Sequence, residues 1–221
     1  MKTLFNCRRV CSDWNKLASR KVGEMLTRTY FFTGNEASYE EFFRVMKAEE
    51  STDKILCPVS KYWMDSSFLR LHNENIVDQF LSICCPATRT LDLEVNQVTG
   101  LCDFRKLKNP IDFGRLNHFG FQVAHLTETT LDNNLGYFLE CLLNSAKVLK
   151  TSSLDCDVHY GLVEHQNLVA QLGSIFVKNL PTCIKELSMC FKGSDELLTA
   201  LIQRRLRLTA LSLDFCNGRI T

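Results

Sequence analysis

Eleven cysteines and five histidines are the residues of this chain best suited to metal coordination or nucleophilic chemistry. Cys7 and Cys11 stand four apart, which places both on one face of a helix. A structural zinc site needs four convergent cysteine or histidine ligands, and no second pair follows nearby. Cys156, His159 and His165 form the next group, without a fourth ligand or a Cys-x-x-Cys partner. No cysteine lies in a local signature of a thiol nucleophile, and the histidines are scattered. Glycine-rich phosphate loops and the His-Glu-x-x-His zinc motif do not occur. The expectation is a non-catalytic chain with no metal and no cofactor. A cysteine- or metal-dependent enzyme ranks third among three readings.

Many cysteines sit in apolar runs, as in Leu81-Ser82-Ile83-Cys84-Cys85 and Leu139-Glu140-Cys141-Leu142-Leu143. Free cysteine behaves there as a small hydrophobe. An odd count without a disulfide framework predicts a reducing compartment, cytoplasm or nucleus. With 26 Lys and Arg against 25 Asp and Glu, the net charge of +1 provides no general attraction for nucleic acid. No run approaches the ~18 apolar residues of a membrane helix. Asn6, Arg8 and Arg9 interrupt the N-terminus too early for a signal peptide. The 221 residues, 45% hydrophobic, suffice to bury a core.

The elements that would position side chains follow from periodicity. In LFNCRRVCSDWNKLASR (4–20), Leu4, Cys7, Cys11, Trp14 and Ala18 fall on one helical face, widened by Val10 and Leu17. Tyr30-Phe31-Phe32 predicts a short strand, and YEEFFRVMKAEE a helix with Phe42, Phe43, Val45 and Met46 inward. From about residue 66 a weak repeat begins. Its strand-like runs are Phe68–Leu71, Leu91–Val95, Phe119–Val123, Leu154–Val158, Leu187–Phe191 and Leu211–Phe215. Helices are expected over Asn75–Cys84, Leu131–Asn144, Leu168–Leu180 and Asp195–Arg204. The strands recur roughly every 24 to 35 residues, around and above the usual ~20–29 of leucine-rich repeats.

One strand with one helix cannot bury both apolar faces, whereas stacked neighbours can. Short strands separated by helices favour parallel pairing, and no Asn-Gly or Asp-Gly hairpin turn separates them. The predicted fold is α/β with five or six parallel strands, right-handed by the crossover rule.

Two stretches carry a family resemblance. LFNCRRVCSDWNKLAS (4–19) resembles the second half of an F-box, with Val10, Cys11, Trp14, Leu17 and Ala18 at the motif positions. LDLEVN (91–96) and LSLDFC (211–216) resemble the leucine-rich pattern Leu-x-Leu-x-x-Asn/Cys, closed by Asn96 and Cys216. CPATRTLDL (85–93) and LPTCIKELSM (180–189) resemble the lead-in of cysteine-containing leucine-rich repeats.

The resemblance implies an F-box protein with leucine-rich repeats. In that family the F-box docks a Skp-type adaptor, and through it a cullin scaffold, while the repeats hold a protein substrate for an SCF-type ubiquitin ligase. It divides the chain into an F-box helical remnant, 1–28, and a degenerate right-handed repeat solenoid, 29–221, expected to be cut short at its C-terminal end. Leu4, Val10, Cys11, Trp14 and Leu17 would form the F-box core or adaptor contact. The family's F-box opens with a Leu-Pro helix upstream of the segment that starts at Met1, so weak adaptor binding is expected from this chain alone. The alternative is a stand-alone leucine-rich-repeat scaffold without a ligase role.

Charge patterning adds two expectations. Lys2, Arg8, Arg9, Lys16, Arg20, Lys21 and Arg28 outnumber Asp13 and Glu24 near the N-terminus, which suits an acidic adaptor. The outward strand positions Asp92, Glu94, Asp155, Asp157 and Asp214, with Ser188 and Ser212, would line the concave face of a horseshoe. They predict an acidic groove for a basic segment of the substrate.

Overall fold

The stretch Thr90–Val95 reads Thr-Leu-Asp-Leu-Glu-Val, and its burial alternates with the pleat. Leu91, Leu93 and Val95 are buried, and Thr90, Asp92 and Glu94 are half-exposed. A computed structural model places this strand in a seven-stranded sheet. It describes residues 29–32, 39, 42–43, 60–70, 73–124, 131–156, 163–191 and 195–215. The N-terminal segment 1–28, with Leu4, Val10, Cys11, Trp14 and Leu17, lies outside the described residues, as do Asp157 and Cys216.

The strands are β1 (Tyr30–Phe32), β2 (Lys61–Asp65), β3 (Thr90–Val95), β4 (His118–Val123), β5 (Thr151–Cys156), β6 (Glu186–Phe191) and β7 (Ala210–Phe215). They lie side by side in chain order, and every neighbouring pair is parallel. Helices connect them: α1 (Glu74–Ile83) before β3, α2 (Asn133–Ser145) before β5, α3 (Val163–Asn179) before β6 and α4 (Asp195–Gln203) before β7. From β3 to β4 the chain runs through turns without an α-helix.

The strand starts are built alike. The carbonyls of Ser60, Arg89, Asn117, Lys150 and Lys185 each accept two successive amides from the start of the next strand, at 2.7 to 3.2 Å. One register is thereby reproduced from β2 through β7. A one-residue slip would turn every buried side chain outward, so the alternating apolar pattern reinforces this register.

The core lies between the sheet and the helices. The rings of Phe119 and Phe121 pack against Phe176 of α3 at 6.1 and 6.0 Å. Phe80 of α1 meets Phe32, Tyr62 and Phe68 at 5.0, 5.6 and 5.8 Å, which joins β1 and β2 to the same core. Burying one such ring stabilises by about 1.5–3 kcal/mol. The Asp132 carboxylate caps α2 by accepting the Asn134 amide at 2.9 Å.

Several boundaries differ from expectation. Among the described residues seven strands form, and β1 and β2 belong to the same sheet as the rest. Of the expected strand Phe68–Leu71, Phe68 and Leu69 lie instead in a 3-10 turn over Ser66–Leu69, started by the Asp65 carboxylate accepting the Ser67 amide, and Leu71 lies outside the described residues. The strand of that unit is β2, just upstream. β5 begins at Thr151, ahead of the expected Leu154, and α3 begins at Val163, ahead of Leu168.

Candidate functional site

Register sorts the outward side chains of the sheet into rows, with neighbouring strands about 4.8 Å apart. The first row runs Lys61, Thr90, His118, Thr151, Glu186, Ala210. The second runs Phe31, Trp63, Asp92, Gly120, Ser153, Ser188, Ser212. The third runs Asp65, Glu94, Gln122, Asp155, Cys190, Asp214. The face therefore grades from an aromatic pair on β1 and β2, through hydroxyls, to a carboxylate-rich row near the strand ends.

Asp92, Glu94, Asp155, Asp214, Ser188 and Ser212 thus fall at outward positions of one sheet, in two adjacent rows. The third-row carboxylates are interrupted by Gln122 and Cys190, so its negative charge is densest at the adjacent Asp65 and Glu94 of β2 and β3. Sequence reading passed over Asp65, which heads the third row. Its Oδ2 accepts the Asn96 side-chain amide at 2.9 Å, and the Ser66 hydroxyl donates to Asn96 Oδ1 at 2.9 Å. Ser66 Oγ in turn accepts the Asn96 and Gln97 amides at 3.2 and 3.0 Å. This knot holds Asp65 as a fixed negative wall where β2 and β3 end.

A second cluster was also missed. His118 Nδ1 lies 2.8 Å from Thr151 Oγ1, and its Nε2 lies 3.5 Å from Asp92 Oδ1. An acid, an imidazole and a hydroxyl in sequence on three strands could form a proton relay. Its geometry argues otherwise. The Asp92 contact exceeds hydrogen-bond length, and the two side chains are 44% and 38% exposed. Nucleophile activation needs a short bond to the base and a preorganised, water-excluding surround. As placed, the cluster presents a carboxylate, an imidazole and a hydroxyl side by side on the outward face.

At the other end of the face, Phe31 is 61% exposed and its ring lies 5.7 Å from Trp63. An exposed aromatic pair next to carboxylates offers both a π face and a counter-charge to a cation. Aligning the strand runs on their first buried residue would have placed Phe31, Trp63, His118 and Thr151 on this face.

Cys85, Cys102 and Cys156 pack in the core. Cys85 and Cys156 are buried, and desolvation foremost pushes their thiols well up, assisted by the charges of Asp112 and Asp155 respectively. Cys102 is pushed up to about 12, first by burial and then by the Glu74 carboxylate; its own backbone amide opposes the shift. Such groups stay protonated and poorly nucleophilic at neutral pH. Among the described residues no three histidine, cysteine or acidic side chains are grouped to hold a metal, and no helix is long and apolar enough to cross a membrane.

Neither a protein-family model nor a curated protein matches this sequence.

Proposed function

We propose that this chain is the substrate-recognition part of an SCF-type ubiquitin ligase: an F-box remnant followed by a right-handed leucine-rich-repeat solenoid. The outward sheet face would be its concave substrate surface. The observation that carries the reading is the in-register face, with Phe31 and Trp63 at one end and Asp65, Glu94, Asp155 and Asp214 along one row. Seven parallel strands in chain order, with one repeated start geometry, support a repeat architecture. Asn96, at the closing position of LDLEVN, supports it further by tying β3 back to β2.

The occupant of this face is a protein segment with basic side chains. A lysine or arginine stacks on the Trp63 ring while carboxylates in the second and third rows oppose its charge. The F-box part of the proposal rests on Val10, Cys11, Trp14, Leu17 and Ala18 at motif positions.

Co-expression with a Skp-type adaptor tests the ligase role. The chain alone should retain little adaptor, and the chain extended upstream by a Leu-Pro F-box helix should retain it stoichiometrically. The stand-alone scaffold remains the second reading, favoured by an outward sheet face formed by described residues of the repeats alone. Failure of both forms to hold adaptor, with binding of a basic peptide intact, would select it.

A further inference from the structure

At the opposite end of the strands from the carboxylate row, a cavity of about 290 Å³ opens between successive helix-to-strand connections. Lys147 follows α2, Lys178 lies in the last turn of α3 and Arg204 follows α4, and all three line the cavity with Thr182. No carboxylate lines it. Among the described residues none of the three cations forms an ion pair. Arg204 donates through Nη2 to the Leu180 carbonyl, while its Nε is enclosed without a hydrogen-bond partner.

Cations commonly sit at helix C-termini because the last carbonyls carry about half a negative charge per helix. Three helix ends offset roughly half of three full cations, so a net of roughly +1.5 remains. The cavity lies just below the ~300–1,000 Å³ of typical small-molecule pockets, enough for a compact anion.

We infer that this cavity binds a phosphate monoester, with the phosphoryl oxygens facing Lys147, Lys178 and Arg204. A dianion balances the residual charge, and its oxygens accept from the Lys147 and Lys178 ammonium groups at the cavity wall. The site is separate from the proposed substrate face.

The test measures the unfolding midpoint and binding isotherms of the whole chain with inorganic phosphate and with O-phospho-L-serine, against sodium chloride at equal ionic strength. Both phosphates should raise the midpoint saturably. Lys147 and Lys178 are exposed, so the paired change Lys147→Gln and Lys178→Gln retains the fold, checked by its ligand-free midpoint. That pair should weaken affinity about tenfold. Changing Lys150→Gln and Lys185→Gln, outside the cavity, should leave affinity within about twofold, since exposed charges off the site contribute little. An unsaturable response, equal losses in both pairs, or a response to inorganic phosphate alone overturns the assignment.

Discussion

Asp92 on β3 and Gly120 on β4 are register partners, and the Asp92 carboxylate occupies the space where a side chain at residue 120 would begin. The missing Cβ lets the carboxylate lean across β4 toward His118. Gly120→Ala should force it away. Because the displaced group is half-exposed and can rotate, stability should fall by only about 1 kcal/mol. Binding of a lysine- and arginine-rich peptide should weaken more than stability does. Denaturant unfolding and peptide titration on the same variant check this, and unchanged peptide affinity would show that the Asp92 orientation is irrelevant to recognition.

The third row predicts an electrostatic steering effect. Asp155→Lys with Asp214→Lys should slow association with the same peptide about tenfold at low salt, with the difference shrinking as salt rises. Glu140→Lys, exposed on α2 away from the sheet face, should have little effect. Stopped-flow rates at two ionic strengths separate the cases. Equal slowing by Glu140→Lys would mean that net charge alone is sensed.

Phe80 is fully buried where β1, β2 and α1 meet. Phe80→Ala should cost about 3–5 kcal/mol. A loss below about 1 kcal/mol in urea unfolding would place this residue outside the well-packed core.

Asn73 is buried and donates its side-chain amide to the carbonyls of Ser67 and Phe68 at 3.3 and 3.0 Å. Removing the donor in Asn73→Ala should cost about 1–3 kcal/mol. Asn73→Asp should be worse, because a carboxylate would face the same two carbonyls without a proton to offer. If Asp is tolerated better than Ala, the amide is not what holds this turn.

The raised thiols give stability a pH dependence of defined sign. Cys102 holds its proton up to about 12 in the folded chain, against 9.0 when unperturbed. Between those values the unfolded state loses the proton first, so stability should be level below about pH 9 and decline as pH rises toward 12. Cys85 and Cys156, shifted the same way, add to that decline. Unfolding midpoints across this window measure it, and Cys102→Ala should flatten the slope. A thiol reagent at pH 8 should label these three slowly until denaturant is added.

The parallel sheet was legible where alternation was pure, as in β3, whose inward positions are Leu91, Leu93 and Val95. It was obscured where an outward position was apolar or an inward one polar. In β2 the outward Trp63 sits between the inward Tyr62 and Met64, so the run reads as uniformly apolar. In β5 Ser152 takes an inward, buried position because its hydroxyl donates to the Phe119 carbonyl at 2.8 Å. A polar residue satisfied that way satisfies the core but carries no hydrophobic signal. The His118 cluster was invisible for another reason. Its members meet only through register between distant strands, and no local spacing encodes that.

Among the described residues each strand is hydrogen-bonded only to its chain neighbours, and none staples distant segments together. Tension applied between the two outer strands, β1 and β7, would find no single clamp to overcome. The molecule should yield by peeling, one strand with its preceding connection at a time. A pulling trace should then show a series of small releases instead of one large rupture. A face that grips a partner across several strands would act as a brace against that peeling, so occupancy itself should raise the force at which the covered strands let go.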